Sequence, residues 1–139
     1  MIVLDTNVIY ALMRNEPEKP VVKWLDAQPA ASVWITAITV MEIRFGLQTM
    51  PKGRRQDALL RLFEQLLKNM IEERIASFDA DAGIHAAELM VQRKRVGRPA
   101  EVRDTMIGGI ILANRATLAT RNTQHFKDLP LTVINPWEI

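Results

Sequence analysis

Residues 2–12 read IVLDTNVIYAL and set one carboxylate, Asp5, between two apolar stretches. Ile2, Val3 and Leu4 form a short, β-branched run that reads as a buried strand ending at Asp5. A helix follows through Leu12, with Thr6 or Asn7 near its start as a cap. An ionised carboxylate in such a setting is costly unless something pairs with it. The position of Asp5 therefore asks for a partner and for a fold that supplies one.

The same alternation continues along the chain. Strand-like segments recur at residues 32–36 (SVWIT), 74–78 (RIASF), 117–121 (TLATR) and 131–135 (LTVIN). Helical patterns fill residues 20–27, the stretch from Ala37 to the MPKG stop, residues 54–73 and residues 79–96. The segment 54–73 is plainly amphipathic, with Leu59, Leu62, Phe63, Leu66 and Met70 on one face. Gly97 suits a helix stop, and Pro99 and Glu101 suit the first turn of a last helix running to about Arg115. Strands alternating with helices predict a single α/β domain over residues 1–139, with a five-stranded parallel sheet flanked by helices. Ligands of such sheets bind outside the carboxyl ends of the strands, where the strand order reverses. Asp5 lies at such an end.

Composition narrows the class. The chain has 139 residues, 48% hydrophobic and 24% charged, which suits an ordinary globular core. It has no cysteine, which removes disulfides and thiolate metal sites. No signal-peptide pattern opens it, and its longest apolar run, MIGGIILA (residues 106–113), falls far short of the ~20 residues of a membrane span. The expected compartment is the cytoplasm. Eighteen Lys and Arg against sixteen Asp and Glu give a net charge of +2, weak evidence for nucleic acid by itself.

Most of the acids sit in polar stretches or near helix starts, where a solvated charge is the ordinary reading. Three do not. Asp5 follows a buried strand. Glu42 shares a helix face with Ile38, Phe45 and Gly46. Asp104 heads a stripe of Ile107, Gly108, Ile111 and Leu112. Each has a local alternative: Asp5 as a helix cap, Glu42 paired with Arg44 or Lys23, Asp104 favoured by the helix dipole. Taken together, three inward carboxylates without thiols make a hard-oxygen set suited to Mg²⁺ or Mn²⁺. Such ions support phosphoryl chemistry by activating water and neutralising phosphate charge.

The blocks MIVLDTNVIYAL, ITAITVMEIRFGL, DTMIGGIILANRATLATRNTQHF and VINPW, in this order, resemble a PIN-domain ribonuclease, nearest to the VapC/FitB-like toxins of type II toxin–antitoxin pairs. The resemblance covers essentially the whole length. It implies a PIN-like three-layer fold and a Mg²⁺- or Mn²⁺-dependent endoribonuclease in which Asp5, Glu42 and Asp104 are the catalytic, metal-holding acids. It also implies a cognate DNA-binding antitoxin of ribbon-helix-helix or similar type, promoter DNA bound through the joint complex, and a homodimer, for which helix 54–73 is a candidate surface. Two departures stand out. The family's fourth acidic position falls on Asn122, a neutral oxygen ligand that weakens the case for a second ion. Gly108 and Gly109 replace better helix formers and would allow a close approach of helix to sheet.

Other residues carry competing readings. Arg93, Lys94 and Arg95 form the densest basic cluster, either a phosphate-contacting rim or cations at a helix C-terminus. Arg54 and Arg55 form a weaker one. Thr120 could offer its hydroxyl to a metal-bound water or a phosphate, or simply end a strand. His125 closely follows the fourth strand and could approach the site, though a surface-loop histidine is the ordinary reading; His85 with Glu88 read as ordinary helix residues. The scattered Trp24, Trp34 and Trp137 read as packing residues. A dehalogenase-type phosphatase also starts with an Asp after its first strand, but it needs a second Asp two residues on, where Asn7 stands. A non-catalytic module with an acidic pocket for a basic partner is the remaining alternative.

Overall fold

The computed structural model describes residues 1–98 and 101–139; the expected helix-starting role of Pro99 lies outside them. The strands are β1 (Ile2–Leu4), β2 (Val33–Thr36), β3 (Ile75–Ala76), β4 (Thr117–Ala119) and β5 (Thr132–Ile134). The helices are α1 (Thr6–Met13), α2 (Lys19–Asp26), α3 (Ala37–Gln48), α4 (Arg54–Leu66), α5 (Ala80–Arg95) and α6 (Val102–Ala113). The strands form one sheet in the order β3-β2-β1-β4-β5, and every pairing is parallel. The chain thus leaves central β1 toward one edge and returns to β4 on its other side. The switch point lies between the carboxyl ends of β1 and β4, and that is where such sheets open a crevice.

Strand alternation separates two cores. Leu4, Ile35 and Ala119 face one side and pack with Val8, Ile9, Ile43 and Phe63 from α1, α3 and α4. Val3 and Leu118 face the other and pack with Leu89, Ile107, Ile110 and Ile111 from α5 and α6. Buried on both faces, the strands read as nearly continuous apolar runs.

Three differences from the sequence reading have physical causes. The cap of α1 is Asp5, the alternative reading of that acid, its side chain accepting from the Thr6 N–H; neither Thr6 nor Asn7 takes that role. The 54–73 segment leaves α-helical geometry at Leu66 and passes through one wide π turn (Leu67–Ile71) that carries Ile71 into the core, and Glu72 then turns left-handed at φ 50°. From its apolar face Phe63 enters this chain's own core, while Leu59, Leu62, Leu66 and Met70 stay partly exposed at its margin. Finally, α3 buries Ile38, Thr39, Ile43 and Leu47, which leaves Phe45 66% exposed and Glu42 at the border of the buried stripe.

The two glycines of α6 serve helix-to-helix contact. A Cβ on Gly109 would strike the Ala82 carbonyl of α5 and stand 2.9 Å from the Ala86 Cβ. A Cβ on Gly108 would press on the far end of the Leu89 side chain, at 2.8 Å, which can swing away, and make ordinary contact with Leu131 at 3.6 Å. Gly109→Ala should therefore destabilise by about 1–3 kcal/mol, more than the ~1 kcal/mol of helix propensity it gains. Gly108→Ala should be close to neutral; urea denaturation of both variants checks the order.

Candidate active site

Each acid that the sequence singled out reaches the switch-point cleft by a different route. Asp5 continues the β1 ladder by one bond, its N–H donating to the Ala119 carbonyl (2.9 Å), and its extended backbone ends the strand as α1 begins. Glu42 sits in the middle of α3, whose start is capped by Thr36. Asp104 occupies the first turn of α6, where the helix dipole favours an acid. The three line one cleft of about 390 Å³ together with Thr6, Asn7, Tyr10, Glu101, Arg103, Asn122 and His125.

Asp5 is 6% exposed and answered by three donors. The Thr6 N–H (2.8 Å) donates to Oδ1, while the Thr120 hydroxyl (2.8 Å) and the Asn7 amide (3.3 Å) donate to Oδ2. Asn7 also donates to Thr120 Oγ1 (3.0 Å) and accepts from the Arg121 N–H (3.1 Å), so it clamps the ends of β1 and β4 together. Thr120 is fully buried and accepts from the Asn122 N–H (3.0 Å). Its hydroxyl is spent on orienting Asp5, so Thr120 does not face substrate. Asn122 is exposed and lines the cleft.

Glu42 accepts from the Thr6 hydroxyl (3.3 Å) and lies 3.8 Å from the Arg103 guanidinium; Arg44 pairs instead with Glu64. Asp104 Oδ2 stands 3.2 Å from His125 Nδ1. His125 is therefore a cleft residue, contrary to its reading as a surface loop. Arg103 escaped sequence reasoning because nothing in its own segment marks it, whereas the nearness of His125 to the end of the fourth strand pointed toward the cleft. Asn7, two residues after Asp5, was visible as a polar residue beside a critical acid.

The basic cluster does not act as a unit. Arg93 is 4% exposed; its guanidinium donates to the His125 carbonyl and lies 3.8 Å from Asp128. It holds the turn that carries His125 and cannot form a phosphate rim. Lys94 and Arg95 are exposed at the end of α5 and line no part of the cleft, as cations at a helix C-terminus do. Arg54 and Arg55 are exposed at the start of α4. His85 and Glu88 form an exposed pair on α5 (3.6 Å).

Burial pushes the Asp5 carboxyl above its ordinary value of 3.8; the Thr120 and Thr6 bonds oppose this, and the Asp104 charge adds to it. Burial likewise raises Glu42 from 4.5; Arg103 opposes, and Asp5 and Asp104 add. The acids thus feel one another across the cleft. Among the described residues, no three His, Asp or Glu side chains stand close enough to enclose a metal ion as a ready-made cage. The donor set still fits Mg²⁺ or Mn²⁺. It is all oxygen, its mutual repulsion is what a cation relieves, and Mg²⁺ commonly takes one or two carboxylates and keeps its waters.

A raised carboxylate destabilises the fold fully above its folded pKa, and the penalty disappears below the unfolded value. Without divalent ions, wild-type stability should therefore rise as pH falls from neutral through the folded pKa values of Asp5 and Glu42. Asp104→Asn removes part of that repulsion. In EDTA at neutral pH it should be as stable as wild type or up to about 1 kcal/mol more so, with the gain fading toward pH 4. Thermal melts across pH check this. A variant clearly less stable than wild type at neutral pH would show Asp104 to be a structural pair with His125.

Comparison with known proteins agrees with this geometry. The PIN domain family matches residues 2–130. Plasmid stability protein StbB of Pseudomonas syringae pv. tomato is 44% identical over 99% of both chains. VapC ribonuclease Y4jK of Sinorhizobium fredii is 41% identical over 99% of both. A solved structure of FitAB bound to an IR36 DNA fragment contains a chain that superposes with a TM-score of 0.91 at 33% identity, over 100% of this chain and 97% of that one. With the sheet order, the cleft at its switch point and these full-length likenesses in hand, the chain belongs to the PIN-domain family, in the branch that holds the VapC and FitB toxins.

Proposed function

We propose that this protein is a Mg²⁺- or Mn²⁺-dependent endoribonuclease and the toxin of a toxin–antitoxin pair, working in the cytoplasm. The observation that carries the reading is the convergence of Asp5, Glu42 and Asp104, from β1, α3 and α6, on one cleft at the switch point. A relative named as a ribonuclease over the full length supports the choice of RNA. Asp5, Glu42 and Asp104 would hold the cation, with Asn122 as a neutral oxygen nearby. When bound, the cation supplies Lewis acidity at phosphate and a water acidic enough to attack.

The chain's own residues do the positioning. Thr120, Asn7 and the Thr6 N–H fix Asp5 in a single orientation. Thr6 does the same for Glu42, and its hydroxyl lies 3.2 Å from that of Thr39 beneath it. His125 faces Asp104 and orients its carboxylate. In the reaction, water attacks phosphorus in line and the bond to the 3′ oxygen breaks. The 3′ oxygen takes up a proton, leaving a 5′-phosphate and a 3′-hydroxyl. A dehalogenase-type phosphatase reading is disfavoured, because Asn7 is neutral and bonded on both sides of its amide.

The partner would be a small DNA-binding antitoxin of ribbon-helix-helix or similar type, and the joint complex would bind promoter DNA. The FitAB complex on DNA supports this arrangement. The same reading includes a homodimer, with the partly exposed apolar residues of the 54–73 segment as its candidate surface. Among the described residues no helix is long and apolar enough to cross a membrane.

Asp5→Asn, Glu42→Gln and Asp104→Asn should each cut Mn²⁺-dependent RNA cleavage by a factor of about 10² or more while the protein stays folded. Double substitutions should add little, since the acids act as a unit. Cleavage of labelled RNA, with circular dichroism as the folding control, measures both. A variant that cleaves at near wild-type rate places its residue outside the site.

A further inference from the structure

The cleft wall is acidic where a phosphodiester must enter. Asp5, Glu42, Glu101 and Asp104 line it, and the basic side chains lining it are Arg103 and His125. His125 is turned toward Asp104. Arg103 is the permanently charged one, because a guanidinium does not deprotonate in proteins. It stands next to Asp104 on the well-buried α6, so its root is fixed at the cleft, yet its side chain is 52% exposed.

The contacts of Arg103 are those of a charge at rest. Its Nε donates to Glu101 Oε1 at 3.3 Å, and its Nη1 stands 3.8 Å from Glu42 Oε2, too far for a hydrogen bond. A pair this long and this exposed is weak and readily exchanged. A cation that binds Glu42 removes the attraction holding Nη1. The fork of the guanidinium is then free for an oxyanion of matching geometry, and phosphate is such a group.

Resting on the nuclease reading above, we infer that Arg103 is a substrate-binding residue that receives a non-bridging oxygen of the RNA phosphate at the cleft. Glu42 and Glu101 hold it in reserve, and a divalent cation on Glu42 releases it. Arg103 thus has two opposed effects: it competes with the cation for Glu42 and it attracts the substrate.

Two measurements outside turnover test this on the full chain. Mn²⁺ titration by calorimetry without RNA should show Arg103→Met binding the ion severalfold tighter than wild type. Binding of a short single-stranded RNA, followed by anisotropy in Ca²⁺ to slow cleavage, should weaken roughly tenfold in Arg103→Met. The slope of log affinity against log salt should fall by about 0.7, the value of one phosphate contact on a single strand. Arg103→Lys should restore the salt slope and only part of the affinity, since it keeps the charge and loses the fork. Glu101→Gln should tighten RNA binding in wild type by more than it does in the Arg103→Met background. RNA affinity and salt slope unchanged in Arg103→Met overturn the inference, as does a joint weakening of metal and RNA binding, which marks a structural role. If wild type itself fails to cleave RNA with Mn²⁺, the nuclease reading falls; if wild type cleaves and only these variant effects are missing, the inference falls alone.

Discussion

The structure turns on keeping one carboxylate charged where water is scarce. Asp5 sits at the end of the central strand, almost wholly buried, and burial alone would push it toward the neutral form. Three donors oppose this, and they come from the start of α1 and the end of β4. The same bonds fasten the ends of the two neighbouring strands, β1 and β4, at which the strand order reverses. The polar network that makes the acid tolerable also ties the floor of the crevice together, because the Asn7 amide bonds to both strand ends. Such a network is worth keeping only when complete, since each unpaired member would cost more than its bond returns.

The other two acids are placed by packing. Asp104 depends on how closely α6 approaches α5, and that approach depends on Gly109, where a single methyl group would strike a backbone carbonyl. Glu42 depends on α3 starting at the carboxyl end of β2, with Ile38 in one core and Ile43 in the other. The helix therefore cannot rotate without losing buried area on both faces of the sheet. Rigid elements thus set the positions of the acids, and hydroxyls and amides set their orientations.

Charge is divided along the chain in a way that serves both ends of the α5–α6 pair. Cations gather at the C-terminus of α5 and acids at the N-terminus of α6, each favoured by its helix dipole. The division is not merely superficial. Arg93 turns inward from the basic end and holds the His125 carbonyl, so a residue of the basic cluster positions the turn whose histidine faces Asp104. Arg103, one residue from Asp104, is the permanent positive charge on the wall of an otherwise acidic cleft.

The sequence by itself determined what rests on local periodicity. Strand and helix alternation set the parallel sheet, the apolar run before Asp5 put that acid at a strand end, and i, i+3, i+4 spacing turned Glu42 and Asp104 toward the interior. These features need only a residue's near neighbours, which the sequence displays. Tertiary structure decided what depends on partners far along the chain. It made Asp5 both cap and cleft acid, through Thr120. It left Phe45 in solvent although it shares a helical side with Ile38, because α3 touches the sheet along a narrower stripe than its apolar residues suggest. It drew Arg93 out of a presumed phosphate rim and brought His125 and Arg103 to the acids. Long polar side chains go where a complementary charge or carbonyl awaits them, and only the folded chain says where that is.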